Sequence, residues 1–237
     1  MRLEKQEKET NDMELYLDSS NPKEILEARA WGMLAGVTTN PMLIAAAGPD
    51  MEKTLHAVVE ASPGRVFAQV IGWRDPKPMI GQARWLHAFS EKIIVKLPIS
   101  VAGLQALMEL KRESPDMTIA VTAVASVAQA YLAGKAGADI VAVFNGPLDQ
   151  ATDSMLELVA PIKKIYANYG FHTKVLSCGR YPRLFGEVAA AGTDICTMKM
   201  EFMRLLYEHT FTDARMQGFM KDWQKVFGDQ TWPETSA

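Results

Sequence analysis

Apolar runs recur along the chain about every 20 to 35 residues, and each is followed by a stretch in which apolar residues have helical spacing. Most of these runs are nearly continuous in Val, Ile, Leu and Ala. This pattern is typical of parallel strands whose outer face is covered by helices. It predicts eight strands, at residues 13–18, 36–40, 65–70, 92–98, 117–124, 139–145, 173–178 and 194–199.

The order of these elements predicts an α/β fold, a (β/α)8 TIM barrel with additional C-terminal helices, because eight strand–helix units close such a barrel. Capping residues predict the helix starts: Asn21 precedes Pro22, and Ser100 and Ser126 follow their strands. A doubly wound open sheet is the alternative, but SSNPKE follows the first strand instead of a Gly-x-Gly-x-x-Gly loop. Two further helices are expected at 201–209 and 212–227.

The expected organisation is a flexible extension at 1–12, the barrel at 13–210, and a C-terminal helix and tail at 211–237. The 237 residues are 48% hydrophobic and 22% charged, as in ordinary globular proteins. With 25 Lys and Arg against 28 Asp and Glu and no basic stretch, nucleic acid is not an expected partner, and neither is a membrane. Two cysteines are too few for a disulfide framework, so the expected compartment is the reducing cytoplasm.

Polar side chains stand near the ends of six predicted strands. Since residues two apart share a strand face and one face of a barrel strand points inward, these groups are expected to meet at one end of the barrel. A buried, unpaired polar group costs about 1–3 kcal/mol, and an active site at the carboxyl ends of the strands would explain the ring. Alternatively, the groups satisfy one another and the loop backbones. The six are Asp18, Asn40, Gln69, Lys96, Thr122 and Ser177.

Lys96 has the clearest chemical meaning of the six. It lies within IIVKLP and is expected to share a face with Ile94, while Ile93 and Val95 face the helices. Lysine is rarely a core residue unless its amine is used. Desolvation lowers the pKa of a buried amine, and the neutral form can attack a carbonyl carbon to give a Schiff base.

Metal chemistry has little support in the sequence. The four histidines are far apart, and no paired-ligand spacing or His-Glu-x-x-His motif occurs. Cys178 and Cys196 fall on neighbouring predicted strands without further ligands, so both are expected to be small core residues. The sequence also has no Gly-x-Ser-x-Gly motif and no phosphate-binding P-loop. We therefore expect neither a metal nor a cofactor.

Six motifs in order go beyond architecture: LYLDSSN, GVTTNP, FAQV, IIVKLP, AGADIVAVFN and TKVLSCGR. With them the chain resembles the small transaldolase family, which includes the fructose-6-phosphate aldolases, over residues 13–227. The resemblance implies a (β/α)8 barrel that uses no cofactor or metal. It also implies a Schiff-base lysine on the fourth strand, whereas most other Schiff-base barrel aldolases carry theirs on the sixth.

The resemblance assigns roles to the polar ring. Lys96 matches the family's Schiff-base lysine, and Asp18 matches its acid–base carboxylate. Asn40 matches the amide that holds the hydroxyls of the donor. Gln69 matches the residue that places the catalytic water, and Thr122 matches the hydroxyl that shares this water. Gln69 agrees with the small transaldolases, since the larger ones have glutamate there.

Further matches concern substrate binding. Thr39 belongs to the TTNP motif, and Ser177 falls near the donor-side serine, with a one-residue shift left open by the sequence SCG. Phe144 stands where fructose-6-phosphate aldolases have tyrosine and true transaldolases have phenylalanine. The family's sugar-phosphate arginine is missing from the stretch 145–147, and Arg180 remains as its second basic residue. The terminal anion of the substrate is thus expected at Arg180, as a phosphate or a sulfonate.

The expected function is a transaldolase that transfers a dihydroxyacetone unit from a ketose to an aldehyde acceptor. The alternatives are an aldolase that releases free dihydroxyacetone and an inactive barrel that serves as a scaffold; the latter predicts loss of Lys96 or Asp18, and both are present. The family forms pentameric rings, often paired into decamers, through C-terminal helices. An apolar stripe around Phe219, Trp223 and Phe227 suits such packing, or else covers the chain's own barrel.

Overall fold

The computed structural model describes residues 12–143 and 155–233. Eight parallel strands form a closed barrel in sequence order, each hydrogen-bonded to the next, and β8 pairs with β1. This confirms the predicted barrel and excludes the open sheet. The strands are β1 Glu14–Asp18, β2 Leu34–Thr38, β3 Val66–Gln69, β4 Ile93–Pro98, β5 Ile119–Val124, β6 Ile140–Val143, β7 Lys174–Gly179 and β8 Ile195–Met198.

Helices follow the strands around the outside of the barrel. They are α1 Pro22–Ala30, α2 Pro41–Ala46, α3 Met51–Ala61, α4 Pro76–Phe89, α5 Val101–Glu113, α6 Val127–Lys135, α7 Met155–Tyr169, α8 Pro182–Ala190, α9 Met200–Arg204 and α10 Thr210–Phe227. The predicted caps are confirmed: the side chains of Asn21, Ser100 and Ser126 each accept a backbone N–H in the first turn. These caps fix the point at which each chain segment leaves the barrel mouth.

Apolar side chains pack on both faces of the strands, inside the barrel and under the helices. The buried residues of the barrel interior come from every strand except β2, whose partly buried Ala35 packs against them and whose Gly36 leaves room for the Tyr16 ring. A side chain at Gly36 would collide with the Tyr16 ring, which itself meets Phe67 edge-on at 5.3 Å between ring centroids. The other apolar cluster lies between the strands and the helices. The interior cluster consists of Tyr16, Phe67, Ile94, Ala120, Ile140, Ala142, Leu176 and Ile195.

Several elements differ in their bounds from the sequence prediction. β2 begins and ends two residues earlier than expected, because Asn40 caps α2 and Pro41 opens it. After β8 the first predicted helix is shorter, spanning Met200–Arg204, whereas α10 spans Thr210–Phe227 and buries no residue. Phe219 and Phe227 of the apolar stripe are exposed, so the stripe is not buried against the chain's own barrel, and the packing of α10 against another chain stays a prediction.

Candidate active site

A lysine amine lies at the carboxyl end of β4. Ile94 packs in the barrel interior, while Ile93 and Val95 pack under the helices, so the alternation predicted for β4 is confirmed. Lys96 is 8% exposed, and its Nζ donates a 2.9 Å hydrogen bond to the carbonyl oxygen of Thr39, just beyond β2. The amine is therefore held inside the barrel mouth.

Asp18, the last residue of β1, places a carboxylate beside this amine. Its Oδ1 accepts a 2.8 Å hydrogen bond from the hydroxyl of Thr38, and Thr38 Oγ1 lies 2.6 Å from Thr197 Oγ1. A hydroxyl has a single proton, and that of Thr38 goes to the carboxylate, so Thr197 donates to Thr38. Three neighbouring strands, β8, β1 and β2, thus hold the carboxylate in place.

Burial acts in opposite directions on the amine and the carboxyl. It lowers the pKa of Lys96, and the nearby charge of Asp18 opposes this in part. It raises the pKa of Asp18, against the hydrogen bond from Thr38 and the charges of Lys96 and Lys199. A neutral amine and a protonated carboxyl are both easier to form here than in water, which suits a nucleophile beside an acid–base group.

Asn40 and Gln69 extend the group along the ends of β2 and β3. Gln69 pairs in register with Lys96 on the next strand. The side-chain oxygen of Asn40 accepts the backbone N–H of Leu43 at 3.0 Å. The oxygen of this amide therefore serves the helix, and its NH2 group is the part that can bind a ligand oxygen.

A cavity of about 1130 Å³ opens beside Asn40 and Gln69, in the helix layer between α2, α3 and α4. Its walls are largely apolar. They include Ile44, Leu55, Trp85 and Leu86. The buried amine and carboxylate are not among the lining residues, so the cavity adjoins the polar group from outside the barrel wall.

The strand β5 is distorted next to Thr122. Ala123 has a φ of 61°, and the pairing with β6 shifts between Val121 and Val124. A non-glycine residue in this conformation costs about 1–2 kcal/mol, and strand bulges near active sites redirect neighbouring side chains. Thr122 is 8% exposed and pairs in register with Pro98 at the end of β4. The bulge therefore lies at the mouth, one residue beyond Thr122.

Ser177 does not join the group, contrary to the expectation from the sequence. Its side chain is fully buried, and its Oγ lies 2.8 Å from Thr193 Oγ1. The reason is strand alternation: Leu176 packs in the barrel interior, so Ser177 faces the helices and Cys178 faces inward. The charge of Cys178 is among the influences on the pKa of Lys96, and the one-residue shift that the sequence left open stays a prediction.

Three other substrate-binding predictions have different outcomes. Thr39 donates its hydroxyl to the carbonyl oxygen of Phe67 at 2.7 Å, so its backbone carbonyl, not its side chain, contacts the amine. Arg180 is half-buried, directly beyond β7 at the carboxyl end of the barrel. Phe144 and the stretch 145–147 lie outside the described residues.

Four side chains of the mouth were missed by the sequence interpretation. Thr38 stands two residues before Asn40, and Thr197 and Lys199 continue the inward series that begins at Ile195. The fourth is Cys178. Counting strictly in twos from Gly36, Leu176 and Ile195 would have found all four.

Within residues 12–143 and 155–233, no three His, Cys, Asp or Glu side chains are grouped as metal ligands would be. In the same ranges, no helix combines the length and apolar character needed to cross a bilayer.

Comparison with known families bears directly on this group of residues. The model of the transaldolase/fructose-6-phosphate aldolase family matches residues 15–231. The chain belongs to this family. The match runs from β1 into the segment beyond α10, and it includes all eight strand ends that surround the buried lysine.

Curated relatives in the transaldolase family extend over nearly the same length. A probable transaldolase of Aquifex aeolicus is 39% identical over 215 residues, which cover 90% of this chain and 98% of the relative. A probable transaldolase of Desulfitobacterium hafniense is also 39% identical and is covered completely, and one of Coprothermobacter proteolyticus is 35% identical over 217 residues, 91% of this chain and 99% of that protein.

A solved structure of a mandelate oxidase variant shares the barrel fold, with a TM-score of 0.55 and 15% identity. The similar region covers 78% of this chain and 64% of the oxidase chain. At this identity the likeness concerns the fold alone.

Proposed function

We propose that the protein is a cofactor-free, Schiff-base transaldolase that moves a dihydroxyacetone unit from a ketose to an aldehyde acceptor. The observation that carries this proposal is the buried amine of Lys96 at the barrel mouth, under the influence of the Asp18 carboxylate. Burial lowers the pKa of the amine, which favours the neutral nucleophile that imine formation requires. Membership of the transaldolase/fructose-6-phosphate aldolase family supports the same chemistry.

The proposed reaction begins when Lys96 Nζ attacks the ketone carbon of the donor, one water leaves and one proton is taken up from solvent, which forms an iminium. Asp18 takes the proton of the hydroxyl beside the bond that breaks, and the electron pair of that bond moves into the iminium. An aldehyde leaves and an enamine remains on the lysine. The enamine carbon then attacks a second aldehyde, whose oxygen regains the proton from Asp18, and one water hydrolyses the new iminium.

The remaining residues bind and orient in this proposal. Asn40 offers its NH2 group to the donor hydroxyls, with Thr39 supplying the backbone carbonyl that holds the amine. Gln69, in register with Lys96, and Thr122 place the water that adds to and leaves the imine. Cys178 takes the donor-side position for which Ser177 was predicted.

The substrate class in this proposal is an anionic ketose. Arg180 lies at the end of β7 on the side where TIM barrels commonly bind phosphate, and a guanidinium gives two directed hydrogen bonds to a phosphate or a sulfonate. Sugar phosphates and sulfonated sugars are therefore both candidates. The runner-up activity is release of free dihydroxyacetone, as in fructose-6-phosphate aldolases.

Acceptor dependence separates the two activities. The experiment incubates the enzyme with phosphorylated, sulfonated and neutral ketoses, with and without an added aldehyde, and identifies the products by mass spectrometry. We expect a new ketose only when the aldehyde is present, and little free dihydroxyacetone without it. Equal dihydroxyacetone release with and without acceptor would contradict the transferase and favour the aldolase.

We also propose that residues 13–210 carry the reaction and that residues 211–237 join copies of the chain into a homo-oligomer. No residue of the helix α10 is buried, and its apolar residues Phe211 and Val226 are 80% and 73% exposed. So large an apolar surface is typical of a contact with another chain. We propose that α10 covers the apolar cavity between α2, α3 and α4 of a second copy.

Light scattering tests the assembly. We expect a pentamer or decamer for the full chain and a smaller species for a chain that ends at residue 209. A monomer mass for the full chain at micromolar concentration would contradict the proposal. For the compartment we propose the cytoplasm, because Cys178 and Cys196 are both free cysteines, as is usual in a reducing environment.

A further inference from the structure

A lysine without an assigned role lies next to the acid–base carboxylate. β1 and β8 are paired so that Leu17 stands opposite Met198. One residue further along the two strands come Asp18 and Lys199. Lys199 is thus the first residue beyond β8, at the same end of the barrel as the reacting groups.

The inward series of β8 leads to this lysine. Ile195 packs in the barrel interior, and Thr197, two residues on, bonds the hydroxyl of Thr38 above it. Lys199 follows after two more residues, so it continues the same face at the rim of the mouth. It is exposed to solvent, and its charge reaches Asp18. Lys199 is thus a cation at the rim beside Asp18.

The charge of Lys199 is not neutralised locally in the way that other lysines around the barrel are. Lys111, Lys163 and Lys174 each pair with an Asp or Glu oxygen at 2.7 or 2.8 Å. Among residues 12–143 and 155–233, no carboxylate forms such a pair with Lys199. An ammonium that has no such pair among the described residues is available for an anion at the rim of the mouth.

The order of atoms along the substrate indicates which half of the substrate carries the anion that Lys199 would bind. In the proposed reaction the ketone carbon is bonded to Lys96, and the hydroxyl that Asp18 deprotonates belongs to the leaving aldehyde. The rest of this aldehyde extends past Asp18, away from the lysine. β1 lies between β2 and β8. On the β2 side, the hydroxyl of Thr38 already donates to Asp18 Oδ1. Lys199 lies on this β8 side of Asp18, where the far end of the aldehyde can extend.

We propose that Lys199 is a specificity-determining residue that binds the terminal phosphate or sulfonate of the aldehyde half of the substrate. This inference rests on the proposed function. With Arg180 on the adjacent strand end, it gives the mouth two cations from β7 and β8. Lys199 thereby selects the aldehyde that leaves and the aldehyde that accepts, whereas the dihydroxyacetone unit on Lys96 makes no contact with it.

The test measures kcat/KM for transfer to glyceraldehyde 3-phosphate, to a sulfonated three-carbon aldehyde and to neutral glyceraldehyde. We expect Lys199→Met to lower the ratio of anionic to neutral kcat/KM by about tenfold to a hundredfold, the usual effect of losing a charged hydrogen bond. Lys199→Arg should restore most of this ratio. The control is Lys174→Met at the other end of the barrel, which should leave the ratio unchanged.

The comparison of the two anionic aldehydes identifies the anion, because the larger loss marks the group that Lys199 binds. An unchanged anionic-to-neutral ratio in Lys199→Met would overturn the inference. The proposed function is checked separately by borohydride trapping of the donor on Lys96, which needs no aldehyde acceptor. A wild-type enzyme that forms this adduct but shows no ratio change in the variant leaves the function standing and removes Lys199 from it.

Discussion

Thr38 donates its hydroxyl proton to Asp18 Oδ1 across 2.8 Å. Thr197 in turn lies 2.6 Å from Thr38, so the carboxylate is the end of a chain of two hydroxyls that begins on β8. A donor to the ionised form stabilises it, and here that effect acts against the burial that raises the pKa of Asp18. Thr38, which takes no part in the proposed bond changes, therefore influences the pKa of Asp18.

Replacing Thr38 should therefore move the pH profile. In Thr38→Val the pKa of Asp18 rises, because a hydrogen bond to the carboxylate is lost. The acid limb of kcat should shift upward by roughly half to one pH unit, the equivalent of a hydrogen bond of about 0.5–1.5 kcal/mol. The control is Thr173→Val, another buried threonine, which bonds the carbonyl of Ala138. An acid limb that stays in place in Thr38→Val would refute this role.

Lys96→Met should make the protein more stable while abolishing activity. Burial lowers the pKa of Lys96 in the folded state below its ordinary value of 10.5. Between these two pKa values the unfolded chain binds more protons, so wild-type stability rises with pH through that interval and levels off above it. The variant lacks this cost and should gain about 1 kcal/mol at neutral pH, with the advantage shrinking toward pH 10.5.

Chemical denaturation across this pH range measures the difference. Lys92→Met is the matched control, since Lys92 donates to the carbonyl oxygens of Val59 and Ser62 and its loss should destabilise the fold. A Lys96→Met protein that is less stable than wild type at neutral pH would show that the amine contributes to folding instead of opposing it.

Phe144→Tyr should shift the enzyme from transfer toward release. A tyrosine hydroxyl offers a hydrogen-bond partner to the water that hydrolyses the imine, and a phenyl ring offers none. Acid–base assistance of this kind is worth about 10²–10⁴ in rate, so a partly well placed hydroxyl should raise acceptor-free release of dihydroxyacetone at least tenfold. A coupled dihydroxyacetone assay on Phe144→Tyr, wild type and the control Phe171→Tyr measures it. Equal release by all three would remove Phe144 from the mechanism.

Arg180→Ala should raise KM for anionic ketoses by about tenfold or more, with a smaller effect on a neutral ketose, because a guanidinium bond to the anion is lost. Arg183→Ala is the control: Arg183 is largely exposed on α8 and pairs with Glu187. Steady-state kinetics with both substrate classes decides the matter. Unchanged KM for every anionic ketose in Arg180→Ala would contradict an anion site there.

The sequence was sufficient for the barrel because strand order and apolar periodicity are local properties. It was also sufficient for the inward direction of Lys96, which follows from alternation around Ile94. It was insufficient for Ser177, because the inward register of β7 depends on which residue enters the interior cluster, and Leu176 does so. The predicted end of β2 was wrong for a different reason: from the sequence alone, Asn40 is equally compatible with the end of a strand and with a helix cap.

Residues that act through a neighbour were beyond the sequence analysis altogether. Thr38 and Thr197 matter only because β8, β1 and β2 are adjacent in the closed barrel, which brings chain positions 159 residues apart to within 2.6 Å. The bulge at Ala123 has no signature in an Ala-Val pair, since alanine rarely adopts a positive φ. Such features become visible only once the strands are placed side by side.

Borohydride trapping shows directly whether the Lys96 amine forms the covalent bond with the ketose. The enzyme is incubated with a ketose donor, reduced with borohydride, digested and mapped by mass spectrometry, with Lys96→Met as the control. We expect a reduced donor fragment on the peptide that contains Lys96, and no adduct in the variant. An adduct on Lys92, Lys174 or Lys199 instead, or full activity in Lys96→Met, would contradict it.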